Sequence, residues 1–324
     1  MKQNTVIALD VGGTKTAVLE GTDRGLIVQR HEVATAADRP FRETFSRLAE
    51  LVEAVRFEAH SNGRQPVALS VSIGGPLQIE PGVLIDPPHL PGWHHVQLKK
   101  ELHGRFPELP VFVEHDGNAG ALAEFYFGVG RDRDDLRHLI FLTFGTGMGA
   151  GLIVNGAVVH GATDTAGEVG HWRLAEDGPV GFGKAGSFEG FASGAGLVLL
   201  ASRRFPARWS ADTPIRDLVD DMLADDPDAL SVAEEAGAWL GRGLALLVDA
   251  LNPQVIVLGS LAVVLGDRVL EPARRMLNEE ALSQSAAACE VLPAALGKGI
   301  GDVAALMAAL TRSNRFSLSK PKST

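Results

Sequence analysis

Two stretches of the chain share one pattern of apolar and polar positions. In the first, the apolar run Val6-Ile7-Ala8-Leu9 leads into Asp10-Val11-Gly12-Gly13-Thr14. A second run covers Thr16 to Leu19, and Gly21-Thr22-Asp23-Arg24-Gly25 closes it before Leu26 to Gln29. Short apolar runs broken by glycine-rich clusters predict strand, turn, strand, turn, strand. The second stretch repeats this order: Leu139-Ile140-Phe141-Leu142, then Thr143-Phe144-Gly145-Thr146-Gly147-Met148-Gly149, then Leu152-Ile153-Val154, turning at Asn155-Gly156 into Ala157-Val158-Val159. Two unrelated hairpins would give the same local pattern. Read as a repeat, it predicts two similar α/β halves, each opening on a β-meander, with a glycine hairpin from each half lining a cleft.

Between the repeats, Arg42 to His60 places Phe45, Leu48, Leu51, Val52 and Val55 on one helical face, and Pro66 to Ile73 reads as a buried strand. A short strand at Val111 to Val113 runs into Glu114-His115-Asp116-Gly117-Asn118, and a helix follows over about Ala119 to Phe127. The exposed connection Gly128 to Asp135 comes next. Helices are expected at about Gly194 to Arg203, Leu218 to Leu223, Ser231 to Leu251 and Ile300 to Thr311, with a buried strand at Val255 to Leu258. We expect a small N-terminal domain over 1–117, completed by a C-terminal helix at about 300–312, and a larger domain over 118–299. Ser313 to Thr324 is polar and basic without periodicity, which predicts a disordered tail.

The 324 residues are 45% hydrophobic and 22% charged, as expected of about two soluble globular domains. Thirty Lys and Arg against forty Asp and Glu leave a net charge of -10, so a nucleic-acid partner is not expected. Cys289 is the one cysteine, which excludes an internal disulfide and any site of several thiolates and fits a reducing compartment. The first apolar run is too short for a signal-peptide core. Leu244 to Leu258 is interrupted by Asp249, Asn252 and Pro253, short of the roughly 20 apolar residues that span a bilayer. A cytoplasmic protein without membrane contact is the expectation.

The candidate chemistry lies on the glycine turns and beside them. Asp10 to Lys15 follows a buried strand, where glycines let backbone N–H groups approach a phosphate and a carboxylate can hold Mg2+ through water. A plain hairpin turn fits the same residues. Phe144 to Gly151 is a second such loop, and the pair favours a nucleotide phosphate over two structural turns. Gly178 to Ala185, GPVGFGKA, imitates a phosphate loop, but Ala185 lacks the hydroxyl that Mg2+ needs and no buried strand precedes it. Asp116, between strand and helix, fits an N-cap as well as a catalytic base. Glu168, His171 and Glu189 could bind a polyhydroxylated ligand; Ser187 as a helix cap with Glu189 in its first turn explains those residues equally well.

In this order the motifs resemble those of the ROK family of sugar kinases and sugar-responsive repressors, within the hexokinase, actin and Hsp70 superfamily. The resemblance runs from Ile7 to about Leu310 and implies a two-domain actin-like ATPase (ribonuclease H-like) α/β fold with an interdomain cleft. Asp10, Gly12, Gly13, Thr14 and Lys15 match the family's first phosphate motif, and Gly145, Thr146 and Gly147 fall in its second. Gly259 and Ser260 stand where the family binds the nucleoside. Asp116 takes the place of the catalytic base in the family's E-N-D-x-N. Glu168 and His171 match E-x-G-H, and Glu189 matches the glutamate that touches the sugar. The resemblance adds Gly75, His115 and Asn118 to the sugar contacts.

Departures are as informative. The family's zinc cysteines fall on Val180, Phe182 and Ser187, so no structural zinc is expected, and apolar packing by Val180 and Phe182 is expected to order the loop instead. His115 replaces an asparagine that contacts the sugar, and His89 replaces another asparagine near by, which leaves the sugar open. The resemblance implies an ATP- and Mg2+-dependent hexokinase acting on a 6-hydroxyl, glucose first, with N-acetylated hexosamines, mannose, fructose and β-glucosides as alternatives and polyphosphate an open donor. A homodimer or larger homo-oligomer is implied too. The family's repressors carry a helix-turn-helix domain before the first phosphate motif; nine residues precede Asp10 here, so kinase is expected over repressor. A sugar-binding protein without kinase activity is the third alternative.

Overall fold

The first apolar run becomes β1 (Gln3–Val11), whose residues Val6 to Leu9 are at most 1% exposed, as a strand covered on both faces must be. The computed structural model describes residues 3–318. The chain turns at the glycines into β2 (Lys15–Gly21) and then β3 (Ile27–Ala34), an edge strand rich in exposed polar residues. Next comes α1 (Phe41–Ser61), which buries Leu48, Val52, Val55 and Ala59 along one stripe, and then β4 (Arg64–Ile73). A small hairpin of β5 (Leu77–Gln78) and β6 (Val83–Leu84) and the short α2 (Leu98–Arg105) lead to β7 (Val111–His115) and α3 (Asp116–Tyr126). The sheet order is β3-β2-β1-β4-β7, antiparallel through the meander and parallel from β1 to β4 to β7. Its parallel strands therefore end together, at Val11, Ile73 and His115, with Asp10 one residue before the end of β1.

A second sheet repeats the plan. It contains β8 (Leu139–Leu142), β9 (Ala150–Val154) and β10 (Ala157–Val158), then a small hairpin of β11 (Val180–Gly181) and β12 (Lys184–Ala185) outside the sheet. Helices α4 (Phe188–Ala192), α5 (Gly194–Arg204), α6 (Ile215–Leu223) and α7 (Pro227–Leu251) follow. The longest, α7, starts on the Asp226 side chain, which accepts from two backbone N–H groups, with Pro227 at its first position; it ends on left-handed Asn252. After β13 (Val255–Leu258) come α8 (Leu261–Leu265), α9 (Asp267–Glu280), α10 (Ser283–Ala287) and β14 (Glu290–Pro293). The order β10-β9-β8-β13-β14 matches the first sheet strand for strand, with the same directions. The last helix, α11 (Ile300–Arg312), buries every residue from Val303 to Leu310 and packs on β1, β4 and α3 of the first sheet's unit.

The described residues form two units. The first takes the chain up to Asp135, His160–Ala166 and the residues from Gly299 on; the second takes Leu136–Val159 and Gly167–Lys298. The division falls at 135/136 and not near Gly117, because α3 packs against α11 and stays with the first unit. The residues after α11 also depart from the expected tail: Ser313 is 6% exposed and its N–H donates to Ala309, and its hydroxyl and carbonyl oxygens accept from the Arg315 and Phe316 N–H groups. Residues 319–324 of that expected tail lie outside the described ones. No helix among the described residues is long and apolar enough to cross a membrane.

Candidate functional site

In the first unit the strand ends gather Asp10, the Gly12-Gly13-Thr14 turn, Gly74-Gly75, and the His115 to Asn118 start of α3. The turn is ordered by Gly12 N–H donating to Lys15 O at 3.0 Å and by the Thr35 hydroxyl donating to Gly12 O at 2.7 Å. A Cβ on Gly13 would stand 2.8 Å from the His89 carbonyl oxygen, so backbone meets backbone there. Lys15 pairs with Glu32 on β3 at 2.8 Å. The bond between Gly75 and Pro76 is cis, and Gly75 lies against the His115 ring.

Asp116 does not cap its helix. His115 does: its Nδ1 accepts from Gly117 N–H at 3.2 Å, while Asp116 occupies the first helical position with its side chain 48% exposed. Asp116 Oδ1 accepts from Gly117 N–H at 2.7 Å, and Oδ2 faces the open side of Gly74. Asp10 sits near enough to feel this charge. Burial pushes its carboxyl up to about 6; the charges of Asp116 and Asp302 push the same way, and Arg30 opposes them. The first turn of α11 approaches so closely that a Cβ on Gly301 would stand 2.7 Å from Asp10 Oδ2. Among the described residues no group of three or more acidic, His or Cys side chains is set to hold a metal. Mg2+ needs fewer: one or two carboxylates suffice when phosphates and water complete its shell. The crowding of negative charge around Asp10 is what such a cation would relieve, so the residues fit it.

Beneath these groups lies Glu114, 2% exposed, and three of its partners were not legible as such in the sequence. Asn118 Nδ2 donates to Oε1 at 2.9 Å, His160 Nε2 lies 3.1 Å from Oε2, and Arg312 is 3.8 Å away. Burial works against the Glu114 charge, but the bonds from His160 and Asn118 and the Arg312 charge outweigh it and hold its carboxyl below the usual value of 4.5. The bond to Glu114 in turn raises His160 above its usual 6.5. Glu114's share of stability is present above pH 4.5 and lost as pH falls through its lowered value. His160's share is present below 6.5 and lost as pH rises through its raised value. Both operate fully between pH 4.5 and 6.5.

In the second unit the loop between β8 and β9 is tied down by main-chain bonds. Gly194 N–H donates to Gly145 O at 2.7 Å and Ala195 N–H to Thr146 O at 3.3 Å, both from the start of α5, whose Ser193 hydroxyl accepts from Gly196 N–H. Glu189 Oε2 accepts from Met148 N–H at 2.9 Å and approaches Gly147 as closely as a glycine allows. Ser260, at φ 41°, lies beside Gly145, and Leu261 N–H donates to Phe144 O. Glu168 precedes and His171 ends a single 3-10 turn (Val169–His171), whose Gly170 is wedged between Met148 O, Phe182 and Glu189. The unit thus unites Gly145, Thr146, Gly147, Gly259, Ser260, Glu168, His171 and Glu189.

The loop that lacks the zinc cysteines is ordered differently from expectation. Val180 is 54% exposed and Phe182 is 40% exposed, so neither forms an apolar plug. Val180 lies on β11 and Phe182 in the turn between β11 and β12, at φ 51°, where it stacks on the His171 ring at 4.0 Å between centroids. The buried Ser187 hydroxyl does the tying: it accepts from the N–H groups of Gly181 and Gly190 and donates to Gly181 O. Lys184 of the phosphate-loop look-alike donates to His171 O.

The sequence pattern that defines the ROK family matches residues 6–312 of this chain. A glucokinase of Halalkalibacterium halodurans is 29% identical over 315 residues, 93% of each chain. A xylose repressor of Caldicellulosiruptor bescii is 29% identical over 243 residues, 72% of this chain and 59% of that protein. The crystal structure of a ROK family glucokinase from Streptomyces griseus, in complex with glucose and AMPPNP, superposes with a TM-score of 0.77 at 29% identity, covering 93% of this chain and 98% of that one. Two α/β units with like sheets agree with that fold.

Proposed function

The chain belongs to the ROK family and has its actin-like ATPase fold, and on that footing we propose that it is an ATP-dependent hexokinase, transferring the γ-phosphoryl group to the 6-hydroxyl of a hexose, glucose first. The observation that carries the reading is Asp116: a half-exposed carboxylate at the first position of α3, just past a strand end, whose Oδ2 faces the open side of Gly74. In this role Asp116 accepts the proton of the attacking hydroxyl. The Gly12-Gly13-Thr14 turn of the first unit and the Gly145-Thr146-Gly147 loop of the second bind phosphate, and Gly259 and Ser260 contact the nucleoside. Gly75, His115, Asn118, Glu168, His171 and Glu189 orient the sugar. Asp10 would hold the Mg2+ that accompanies the nucleotide, which supplies charge neutralisation at the transferring group. Phosphoryl transfer needs little else from a protein than positioning and electrostatic stabilisation.

The glucokinase relatives support glucose; His115 in the place of an asparagine keeps N-acetylglucosamine, N-acetylmannosamine, fructose and β-glucosides as alternatives. The likeness to a xylose repressor favours one second reading, a sugar-binding regulator without kinase activity. We also propose a cytoplasmic homodimer or larger homo-oligomer. A coupled assay of ADP release over a panel of hexoses, amino sugars and glycosides tests the kinase reading. One sugar should give turnover with ATP and Mg2+. Tight sugar binding with no ADP release from any of them would replace the kinase by the regulator.

A further inference from the structure

Glu114 uses its two oxygens for different purposes. Oε1 accepts from the His115 N–H at 3.1 Å and from Asn118 Nδ2 at 2.9 Å, so it orders the first turn of α3. Oε2 is held from elsewhere in the chain, by His160 Nε2 at 3.1 Å, with Arg312 Nη2 at 3.8 Å. Arg312 is committed to other groups: it donates to the Val113 carbonyl and pairs with Glu80 at 3.6 Å. His160 is therefore the close partner of Oε2. A carboxylate this deeply buried keeps a fixed orientation only while its lone pairs are filled.

Orientation matters for Asn118. An ionised carboxylate only accepts, so the Asn118 NH2 group must face Glu114 and Oδ1 must face away. That oxygen is buried and has no partner among the described residues, an acceptor awaiting a donor such as a sugar hydroxyl. His160 opens the segment His160–Ala166, which belongs to the first unit although the second unit's chain flanks it on both sides. Asp164 in that segment anchors it by accepting the Ile79 N–H at 2.9 Å. The charged groups acting on His160 are Glu114, Arg312 and Asp164.

We propose that His160 is a positioning residue for the hexose site: through Glu114 it fixes the Asn118 amide and the turn that presents Asp116. This rests on the kinase reading above. The test compares His160→Ala with His160→Gln, whose amide keeps an N–H donor for Oε2. Hexose KM, and hexose Kd measured calorimetrically without nucleotide, should rise about 10-fold in H160A, the scale of one hydrogen bond to a charged group. KM for ATP should change little, and H160Q should recover most of the loss. Unchanged hexose affinity in H160A, or an equal loss toward hexose and ATP that H160Q does not recover, overturns the proposal. Should the wild-type protein bind no hexose, the kinase reading fails, and the Asn118 side-chain amide resonance still decides the inference. That signal must move in H160A and hold in H160Q; a signal unmoved in H160A overturns it.

Discussion

The two glycine hairpins obey one sequence grammar but sit in different kinds of surroundings. Around Asp10 and Asp116 the first unit works with side-chain charge: Asp302, Arg30, Glu114, His160 and Arg312 set the protonation and orientation of the groups between them. Around residues 143–149 the second unit works mainly with main-chain amides, from Gly194, Ala195 and Met148, the last donating to the Glu189 carboxylate, and the Ser193 hydroxyl caps the helix that supplies the first two. Charge placed by side chains answers to pH and to bound ions, whereas amide-held loops answer to backbone geometry. The same fold can therefore keep one half tunable and the other half rigid in composition.

The largest expected effect falls on the charge-built half. Asp116→Asn should keep hexose affinity and lower kcat by about 10²-fold or more, the usual contribution of a general base. Steady-state kinetics with matched sugar binding measures it, and unchanged turnover would remove Asp116 from the chemistry. Next is Asp10→Asn. Asp10 holds its proton more tightly folded than unfolded, so folding loses stability as pH rises from 3.8 through about 6 and does not regain it above. Neutralising the residue should stabilise the nucleotide-free protein at pH 8 by about 2 kcal/mol, discounted from the full shift because the side chain is partly exposed, while activity falls. Urea unfolding at pH 4 and pH 8 checks the sign: the gain must vanish at the lower pH. The smallest effect belongs to the amide-held half. Ser187→Ala removes a hydroxyl bonded to Gly181 and Gly190 and should cost about 1 kcal/mol, equally at pH 6 and pH 9, since no titrating group takes part. A pH-dependent cost would blur the contrast between the halves.

Much of the frame could be read from the chain. Val6 to Leu9 with its glycine turn, the Phe45 to Val55 stripe and the second copy at Leu139 predict strands and a helix that are present, because local periodicity and turn chemistry fix them. Elements with weak local signals escaped: α9 contains Pro272, and the short α4 and α8 have no period to read. The site followed the same rule. Asp10, Asp116 and the loop glycines sit on recognisable turns, but His160 and Arg312 meet Glu114 across 46 and roughly 200 residues, a relation that only the fold creates. Val180 and Phe182 misled because apolar character says nothing of which way a short hairpin turns its strand and its turn residue.

One helix carries a consequence for how the molecule is made. α11 supplies eight consecutive buried residues to a sheet whose strands all lie before residue 116, and the whole of the other unit is encoded in between. On the ribosome the amino-terminal unit is begun first and sealed last, so its core stays open to solvent and to chaperones while its neighbour can already fold. A premature stop near residue 298 would thus spare the later-encoded unit and ruin the earlier one.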